Sequence, residues 1–270
     1  MTEQEFLNHY NKNDYEQLSM TTDILILSIS EKDQENYRKT KEKSMSILLV
    51  KRKDHPYKDK WCLPGGFLNP KKETLEECAK RILKQETNIE NVYLEQLYTF
   101  SSINRDPRCR VVSTSYVTLI DKNKIENKVK EDAIFFDIKN IKETKDTIKI
   151  ELEKNNINLS FTIKKEEKDI YNGTIIENQD IAFDHPLVIR AGIERIRNKI
   201  NYTDIAFHLM PEYFTLGELQ QVYEVILNKK LLDPAFRRTI SNKVIKTTKK
   251  TIGEGHRPSY LYQYKKKKKE

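Results

Sequence analysis

The chain has 270 residues, 33% of them charged, and a formal net charge of +8. No apolar run approaches the roughly 18 residues of a membrane-spanning helix, and the polar N-terminus MTEQEFLNHYNKND lacks the pattern of a signal peptide. The three cysteines have neither CxxC nor His-paired spacing, which argues against disulfides and a zinc site. We expect a cytoplasmic protein with no membrane partner and two domains.

The first half of the chain predicts a series of strands. TDILILSIS at 22–30 and SILLVKR at 46–52 are separated by a charged, lysine-rich loop. Further strands are expected at 93–100 and 111–120, and they bracket the loop SSINRDPRCR. Between 121 and 180, the segments FFDI, TIKIEL and LSFTI indicate strands joined by polar turns, so much of this region is expected at the surface.

Residues 61–89, WCLPGGFLNPKKETLEECAKRILKQETNI, contain the most informative pattern. They resemble a Nudix box, G-x5-E-x7-R-E-U-x-E-E-x-G-U with U bulky and apolar, once one extra residue is allowed after the first glycine. In Nudix hydrolases, glutamates one helical turn apart hold divalent cations against a diphosphate. The positions that match are Gly66, Glu73, Arg81, Glu86 and Ile89, and those that break the pattern are Ile82, Gln85 and Asn88.

Two of the three metal-binding glutamates are therefore missing from this box. Glu86 alone can recruit at most a weakly held magnesium ion, completed by phosphates and water. The lost carboxylates also remove the means of activating a nucleophilic water. We expect catalysis to be lost or vestigial and no cofactor to be required, although magnesium can accompany a diphosphate ligand. The remnants of the catalytic box are Glu73, Glu77, Arg81 and Glu86.

The same segment is compatible with an ordinary buried helix that begins at a Thr74–Glu77 capping box. The preceding loop favours a ligand site instead. Only seven glycines occur in the chain, yet Gly65 and Gly66 are adjacent and follow a proline. Such a pair suits a left-handed turn or a close approach of the backbone to a ligand.

The C-terminal part changes to helical patterns. AFDHPLVIRAGIERIRNKI at 182–200 predicts a helix that begins near Asp184 with Pro186 in its first turn. Thr215 and Glu218 then form a capping box before LGELQQVYEVIL. A second helix, DPAFRRTISNKVI, follows after only five residues, which is the short turn expected of a helix-turn-helix.

Basic residues concentrate in this part of the chain. Residues 201–270 carry 14 Lys and Arg against 7 Asp and Glu, whereas residues 1–200 carry 35 against 34. The second helix presents base- and phosphate-reading side chains, and the lysine-rich segment that leads to SYLYQY indicates a hairpin wing. The alternative is a helical dimerisation cap with solvated charges. The candidate DNA-binding residues are Arg237, Arg238, Ser241, Asn242, Lys243, Lys246, Lys249, Lys250 and Arg257.

The succession of WxLPGGF, RDPRxRVxSxxY, AFDH and a winged helix resembles the NrtR family of Nudix-related transcriptional regulators. The resemblance covers nearly the whole chain and implies an α/β fold. Residues 1–200, including a connecting helix at 182–200, are expected to form a Nudix α/β/α sandwich with a mixed sheet. Residues 201–264 are expected to form a C-terminal winged-helix domain, and 265–270 a lysine-rich tail.

The resemblance also implies a ligand and partners. It implies a homodimer that binds palindromic operator DNA, responds to ADP-ribose or a related nucleotide, and controls NAD metabolism. The arginines of the loop are assigned to a diphosphate or to stabilising that loop, because a guanidinium fork matches phosphate oxygens. The candidate ligand-binding residues are Arg52, Gly65, Gly66, Arg105, Arg108 and Arg110.

Several of these side chains have alternative roles. Asp106 can pair with Arg108 and merely shape the loop, and Arg81 can neutralise Glu73 or Glu77 on its own helix. His185 and His256 are expected to be structural or to contact the DNA backbone, and neither is assigned chemistry.

Two functions follow from these patterns. The leading hypothesis is a ligand-responsive DNA-binding regulator, in which a nucleotide in the degenerate Nudix pocket alters DNA affinity. The alternative is a Nudix hydrolase that cleaves ADP-ribose or another nucleoside diphosphate derivative. The alternative requires Glu73, Glu77 or a loop acid to replace the missing glutamates.

Overall fold

The structure, a computed structural model, describes residues 1–31, 42–88, 90, 92–121, 129–167, 169–251 and 258–265. Its helices are α1 (Glu3–His9), α2 (Leu75–Thr87), α3 (His185–Lys199), α4 (Leu216–Leu227) and α5 (Asp233–Ile240), with 3-10 turns at Lys12–Asp14 and Ile205–Leu209. Its strands are β1 (Ser19–Glu31), β2 (Lys43–Lys51), β3 (Trp61–Cys62), β4 (Gly65–Phe67), β5 (Leu94–Phe100), β6 (Val111–Leu119), β7 (Ala133–Glu143), β8 (Thr147–Lys154), β9 (Ile157–Glu166), β10 (Asp169–Gln179), β11 (Val244–Lys250) and β12 (Tyr260–Tyr264). No helix in these residues is long and apolar enough to cross a membrane.

One mixed sheet organises the N-terminal part. Its order is β10-β9-β8-β7-β2-β1-β6-β5, with β3 beside β2 and β4 beside β1. β1 runs parallel to β6 and antiparallel to β2 and β4. Successive residues of β1 point to opposite faces, so Ile24 and Ile26 pack with α2 while Leu25 and Leu27 pack with α3. The predicted α/β/α sandwich with a mixed sheet is therefore confirmed.

The region between 121 and 180 is more deeply buried than its sequence predicts. β7 to β10 form an antiparallel extension of the sheet, and β10 was not predicted at all. Apolar and charged residues alternate along β8, so one face of a strand rich in Lys and Glu is still apolar. The completely or almost completely buried side chains of this extension include Ile148, Ile150, Leu152, Leu159, Phe161 and Ile163. The extension thus belongs to the main core.

Helix α3 lies where the two ends of the sheet meet. Tyr98 on β5 stacks on Tyr171 on β10, with ring centroids 4.1 Å apart and nearly parallel planes. Arg195 of α3 donates to the Leu97 carbonyl and to Glu95, at 2.9 Å each, and also to the Tyr171 hydroxyl. The strands therefore curl around a central helix rather than forming an open sheet.

The C-terminal elements form a winged helix whose core is continuous with that of the sheet. Phe214 and Tyr262 exchange backbone hydrogen bonds, which joins the segment before α4 to the wing strand β12. Leu219, Ile226 and Phe236 are buried in the same apolar cluster as α3. The predicted helix-turn-helix and hairpin wing are both present.

The second helix of this pair is shorter than predicted. It ends at Ile240, and the chain turns at 241–243 before entering β11 at Val244. The run Val-Ile-Lys-Thr-Thr is rich in β-branched residues, which favour a strand over a helix. Ser241 and Asn242 consequently lie in a turn beyond the helix, and Val244 belongs to the wing.

We predict that Phe161→Ala destabilises the whole fold by about 3–5 kcal/mol, because a fully buried aromatic side chain is removed from the main core. The measurement is the free energy of unfolding in urea. Ile176→Ala on the neighbouring β10 is the control, since that side chain is 52% exposed, and it should cost no more than about 0.5 kcal/mol. Equal, small effects of the two substitutions would show that the extension is not part of the core.

Candidate functional site

A cleft of about 330 Å³ lies between β4, the end of β2, the loop after β5 and the start of α3. Five of the six predicted ligand residues line it, namely Arg52, Gly65, Gly66, Arg105 and Arg108. The sixth, Arg110, is not part of the lining. Its guanidinium donates to the carbonyl oxygens of Ser101 and Ser102, both at 2.9 Å. Arg110 therefore stabilises the loop and does not face the cleft.

The first glycine of the pair is required by a close backbone approach. Gly65 lies opposite Asp23 in the pairing of β4 with β1. A Cβ on Gly65 would come within 2.4 Å of a carboxylate oxygen of Asp23 and 3.0 Å of the Thr22 carbonyl oxygen. Only glycine fits here, so the PGG sequence brings the cleft wall against β1.

A buried ion network forms the floor of the cleft. Arg105 is 8% exposed and binds both carboxylate oxygens of Asp184, at 2.7 and 2.9 Å, and one oxygen of Asp23 at 3.3 Å. Through its Nε and Nη2 groups, Arg105 holds β1, the loop and the start of α3 together, which is the loop-stabilising role anticipated for these arginines. Its assignment to a ligand diphosphate stays a prediction.

His185 and Ser113 complete the network around Asp23. The Leu63 N–H donates to Nδ1 of His185 at 2.9 Å, and Nε2 of His185 lies 3.6 Å from an Asp23 oxygen. Ser113 donates its hydroxyl to Asp23 at 2.6 Å. Burial by itself raises the pKa of Asp23, but His185 and Arg105 together hold that pKa well below its usual range. The network thus favours the ionised form of Asp23, and His185 bridges Leu63 and Asp23.

Two further arginines line the cleft, and both lie near the same aromatic ring. The Arg52 guanidinium lies 4.8 Å from the ring centroid of Phe183, and that of Arg108 lies 5.9 Å from it and 5.1 Å from Phe67. Arg108 also pairs with Asp106 at 2.8 Å, as the alternative interpretation anticipated, yet its side chain is still 42% exposed. Phe183 has a φ of 56°, a strained conformation for a residue with a large side chain.

The remnants of the Nudix box are mostly committed to structure. Arg81 forms two hydrogen bonds to Glu73, at 2.7 and 2.8 Å, and these lower the pKa of Glu73 to about 2. Glu77 caps α2 through the backbone N–H of Thr74 at 2.8 Å, which lowers the pKa of Glu77. Neither glutamate lines the cleft. Their assignment as residual catalytic groups is therefore corrected to structural roles.

The remaining box positions do not form a metal cluster. Ile82 is 2% exposed and packs in the core beneath the glycine pair. Gln85 accepts a long hydrogen bond from Arg81 at 3.4 Å. Glu86 does line the cleft, but Lys130 pairs with it at 2.7 Å. Within the described residues, no group of three or more His, Cys, Asp or Glu side chains has the arrangement of a metal site. Ile89 lies outside those residues.

Asn88 does not match the box glycine in residue type, but it takes over that glycine's backbone role. It ends α2 in the left-handed conformation, with φ 53° and ψ 29°, which asparagine tolerates better than most residues.

The cysteines are all free, and burial raises the pKa of the Cys62 thiol in the cleft wall to about 11. That thiol is protonated and inert at neutral pH.

The winged helix has an exposed basic surface. Arg237 and Arg238 are exposed on α5, and Lys246, Lys249 and Lys250 are exposed on the wing strand β11. Tyrosine rings support the wing lysines: Lys246 and Lys250 lie over Tyr260, at 3.6 and 4.8 Å, and Lys249 lies over Tyr213 at 3.6 Å. The ammonium groups are thereby held near the surface of the hairpin.

Three other residues predicted to contact DNA lie at the end of α5, and their contacts within the protein are described by the structure. Lys243 binds Asp204 at 2.9 Å and the Thr203 carbonyl at 3.1 Å, so it anchors the wing to the segment after α3. The Ser241 hydroxyl donates to the Arg238 carbonyl at 2.9 Å, which ends the helix, and Asn242 is exposed in the same turn. Arg257 and His256 lie outside the described residues.

Sequence reasoning missed several residues that shape the cleft. Asp23 was detectable, because a single carboxylate interrupts the otherwise uncharged strand TTDILILSIS. Phe183 was noted only as part of AFDH, and Asp184 only as part of AFDH and as the start of a helix. Lys130 and Asp132 had no sequence signal, because they lie in a Lys- and Glu-rich segment whose neighbours in space are set by the turn into β7.

Comparisons with known proteins agree with this architecture. Residues 37–153 match the NUDIX domain model, and residues 206–264 match the model of the NrtR DNA-binding winged helix domain. The chain is 32% identical to the ADPR responsive transcriptional repressor NtrR of Acinetobacter baylyi over 97% of this chain and 88% of that protein.

Two further relatives match different shares of the chain, one nearly all of it and the other about a third. The crystal structure of Shewanella oneidensis NrtR complexed with a 27mer DNA is 26% identical, covers 91% of this chain and 93% of its own, and has a TM-score of 0.65. An ADP-ribose pyrophosphatase of Methanocaldococcus jannaschii is 40% identical over 103 residues, which are 37% of this chain and 59% of that enzyme. The Acinetobacter baylyi repressor is matched over 88% of its own length, and residues 206–264 fit the family's winged-helix model. The chain therefore belongs to the NrtR family of Nudix-related transcriptional regulators.

Proposed function

We propose that this protein is a transcriptional regulator whose Nudix cleft binds ADP-ribose or a related nucleotide diphosphate and whose winged helix binds operator DNA. The observation that carries the proposal is that an exposed basic winged helix and a Nudix cleft share one continuous core. In that Nudix domain, Glu73 and Glu86 of the box are already paired with Arg81 and Lys130. The ADPR responsive repressor of Acinetobacter baylyi and the DNA-bound Shewanella NrtR support the two halves.

Arg52 and Arg108 are the ligand contacts of this proposal. Both guanidinium groups lie at the mouth of the cleft, and planar guanidinium groups bind phosphate oxygens in pairs. Phe183 lies near both of them and offers its ring to a base or ribose. Its strained backbone is typical of a residue held in place for function.

The DNA contacts of this proposal come from α5 and the wing. Helix α5 enters the major groove with Arg237 and Arg238, while the wing lysines contact phosphates. Because such helix-turn-helix proteins bind two half-sites as dimers, we propose a homodimer on a palindromic operator. A cytoplasmic location belongs to the same proposal, and it is supported by the similarity to a bacterial transcriptional repressor. The nucleotide shifts DNA affinity by the difference in its own affinity for the free and DNA-bound forms.

We predict that Arg52→Ala and Arg108→Ala each weaken ADP-ribose binding at least about tenfold, because a charge-assisted hydrogen bond to phosphate contributes roughly 1.5–3 kcal/mol. Isothermal titration calorimetry measures this affinity. Arg110→Ala is the matched control for Arg108, since it removes an arginine of the same loop that is not part of the cleft lining. Equal losses in all three variants would point to a general effect on the loop and contradict the assignment.

We predict that Arg238→Ala weakens operator binding about 5- to 150-fold, the effect of losing roughly 1–3 kcal/mol of base or phosphate contact. The operator is first selected from a random duplex pool, and affinity is then measured by fluorescence anisotropy. Lys80→Ala removes the same charge from α2, where Lys80 pairs with Glu76 at 2.6 Å on the Nudix domain. Operator binding by that control should be unchanged.

The same titrations test the wing. Replacing Lys246, Lys249 and Lys250 together by alanine should reduce the slope of log affinity against log salt by up to about 2.7, because each phosphate contact contributes roughly 0.9. An unchanged slope would place the wing away from DNA and would favour the dimerisation-cap interpretation.

The competing function is ADP-ribose hydrolysis, which is favoured by the similarity to the archaeal pyrophosphatase. We infer that this cleft binds without cleaving, because Glu73 and Glu77 are engaged in α2 and Ile82 is in the core. Incubation of concentrated protein with ADP-ribose and magnesium should leave the nucleotide intact by chromatography. Release of AMP at ordinary enzymatic rates would overturn the regulator's sensing role in favour of catalysis.

A further inference from the structure

Two carboxylates at the cleft are paired with lysines. Glu86, the one box glutamate that still faces the cleft, lies 2.7 Å from Nζ of Lys130. Asp132, two residues along from that lysine and also in the lining, lies 2.8 Å from Nζ of Lys53. The hydrogen bond from Lys53 lowers the pKa of Asp132, with a smaller contribution from Lys130. The cleft thus carries two lysine–carboxylate pairs, Lys130 with Glu86 and Lys53 with Asp132.

The residues at this place do not fit a catalytic Nudix metal. Magnesium requires near-octahedral oxygen ligands and keeps several waters, so it needs open space around its carboxylate. One oxygen of Glu86 is occupied by Lys130, and the other is shielded from solvent without a hydrogen-bond partner among the described groups. A cation could reach Glu86 only by displacing the lysine. The ammonium and a divalent ion therefore compete for the same carboxylate.

We propose that Lys130 takes the place of the divalent metal at the Nudix box, so that the cleft binds a nucleotide diphosphate through protein cations alone. This inference rests on the proposed function, because it concerns how the same cleft holds its ligand. Lys130 neutralises Glu86 and leaves the diphosphate facing Arg52, Arg108 and Lys53 rather than an unpaired carboxylate. Electrostatic attraction to these groups replaces a bridging ion.

The substitution that tests this is Lys130→Met, which keeps much of the aliphatic side chain and removes the charge. The Glu86–Lys130 pair is partly exposed, with side-chain exposures of 15% and 49%, and such pairs contribute about 1 kcal/mol or less to stability. The variant is therefore expected to fold, and its thermal melting checks this. Lys130→Arg is the conservative variant, and Lys84→Met removes a comparable lysine of α2 that pairs with Glu90 at 2.6 Å outside the cleft.

Calorimetry of ADP-ribose binding is run on the full chain in excess EDTA and in millimolar magnesium. Wild type, Lys130→Arg and Lys84→Met should show the same affinity in both buffers within about twofold. Lys130→Met should lose about tenfold or more in EDTA, a change of roughly 1.4 kcal/mol, and recover most of it in magnesium. Adding Glu86→Gln to Lys130→Met removes the unpaired carboxylate, so the double variant should bind within a few-fold of wild type in both buffers and show no response to magnesium.

Two results would overturn the inference. In the first, wild type binds ADP-ribose only with magnesium, and the Glu86→Gln variant no longer responds to magnesium. Glu86 would then be a metal ligand. The other is Lys130→Met binding that is as tight as wild type in EDTA. If ADP-ribose fails to bind wild type in either buffer, the proposed ligand is wrong. The metal is then tested alone: electron paramagnetic resonance should show Mn²⁺ remaining free with wild type and partly bound with Lys130→Met, and Mn²⁺ bound by wild type would refute the role of Lys130.

Discussion

The pairing of buried Arg105 with Asp23 and Asp184 is the interaction on which the rest of the site depends. These residues come from the loop after β5, from β1 and from the residue that begins α3. Charges removed from water are stable only when they are paired and hydrogen-bonded, and loss of one partner leaves an uncompensated charge. The network therefore fixes three distant segments relative to one another. It also explains why Gly65 must be glycine, since the backbone of β4 passes directly against the Asp23 carboxylate.

Helix α3 carries this arrangement to the winged helix. Its 15 residues extend over about 22 Å at 1.5 Å per residue, from the floor of the cleft to Arg197, which donates to the Ile226 carbonyl of α4 at 3.0 Å. The wing is fixed to the same region through Lys243 and Asp204. Because the two domains share a core, a nucleotide cannot act by releasing a loosely tethered domain. Phe183 lines the cleft one residue before the Asp184 that Arg105 holds, so a ligand at its ring would contact the chain directly beside this network.

Much of the fold could be predicted from sequence because local patterns and tertiary structure agree. β1 alternates between two apolar faces, the Thr215 capping box marks the start of α4, and Pro186 falls in the first turn of α3. β10 could not be predicted, because its polar edge sequence YNGTIIENQ is stabilised by pairing with β9 and by Arg190, which donates to the Asn172 carbonyl at 2.9 Å. The end of α5 was misplaced because the apolar spacing of Phe236, Ile240 and Val244 continues the helical period into a strand.

The site was harder to predict than the fold, because the sequence does not show which charged side chains pair with one another. An arginine in a loop has the same sequence signature whether it faces a ligand or a buried aspartate, and only tertiary contacts separate Arg108 from Arg105. The roles of Glu73 and Glu77 were likewise decided by Arg81 and by the N-terminus of α2. Residue types therefore indicated that the cleft concerns phosphates, while the pairing of charges decided which side chains remain available.

The pairing of acids with lysines suits a cleft that binds rather than cleaves. Catalysis requires interactions that are stronger in the transition state than in the ground state, and in a Nudix enzyme the metal supplies them by activating water. A fixed ammonium group offers no bound water to activate. Its charge neutralises the Glu86 carboxylate, which lines the cleft, while Lys130 itself is not part of the lining. For a sensor this is an advantage, because a nucleotide that is bound without being consumed reports its own concentration. The loss of carboxylates at Ile82 and Gln85 and the presence of Lys130 beside Glu86 are thus two parts of the same change: each removes negative charge from the place where a diphosphate must rest.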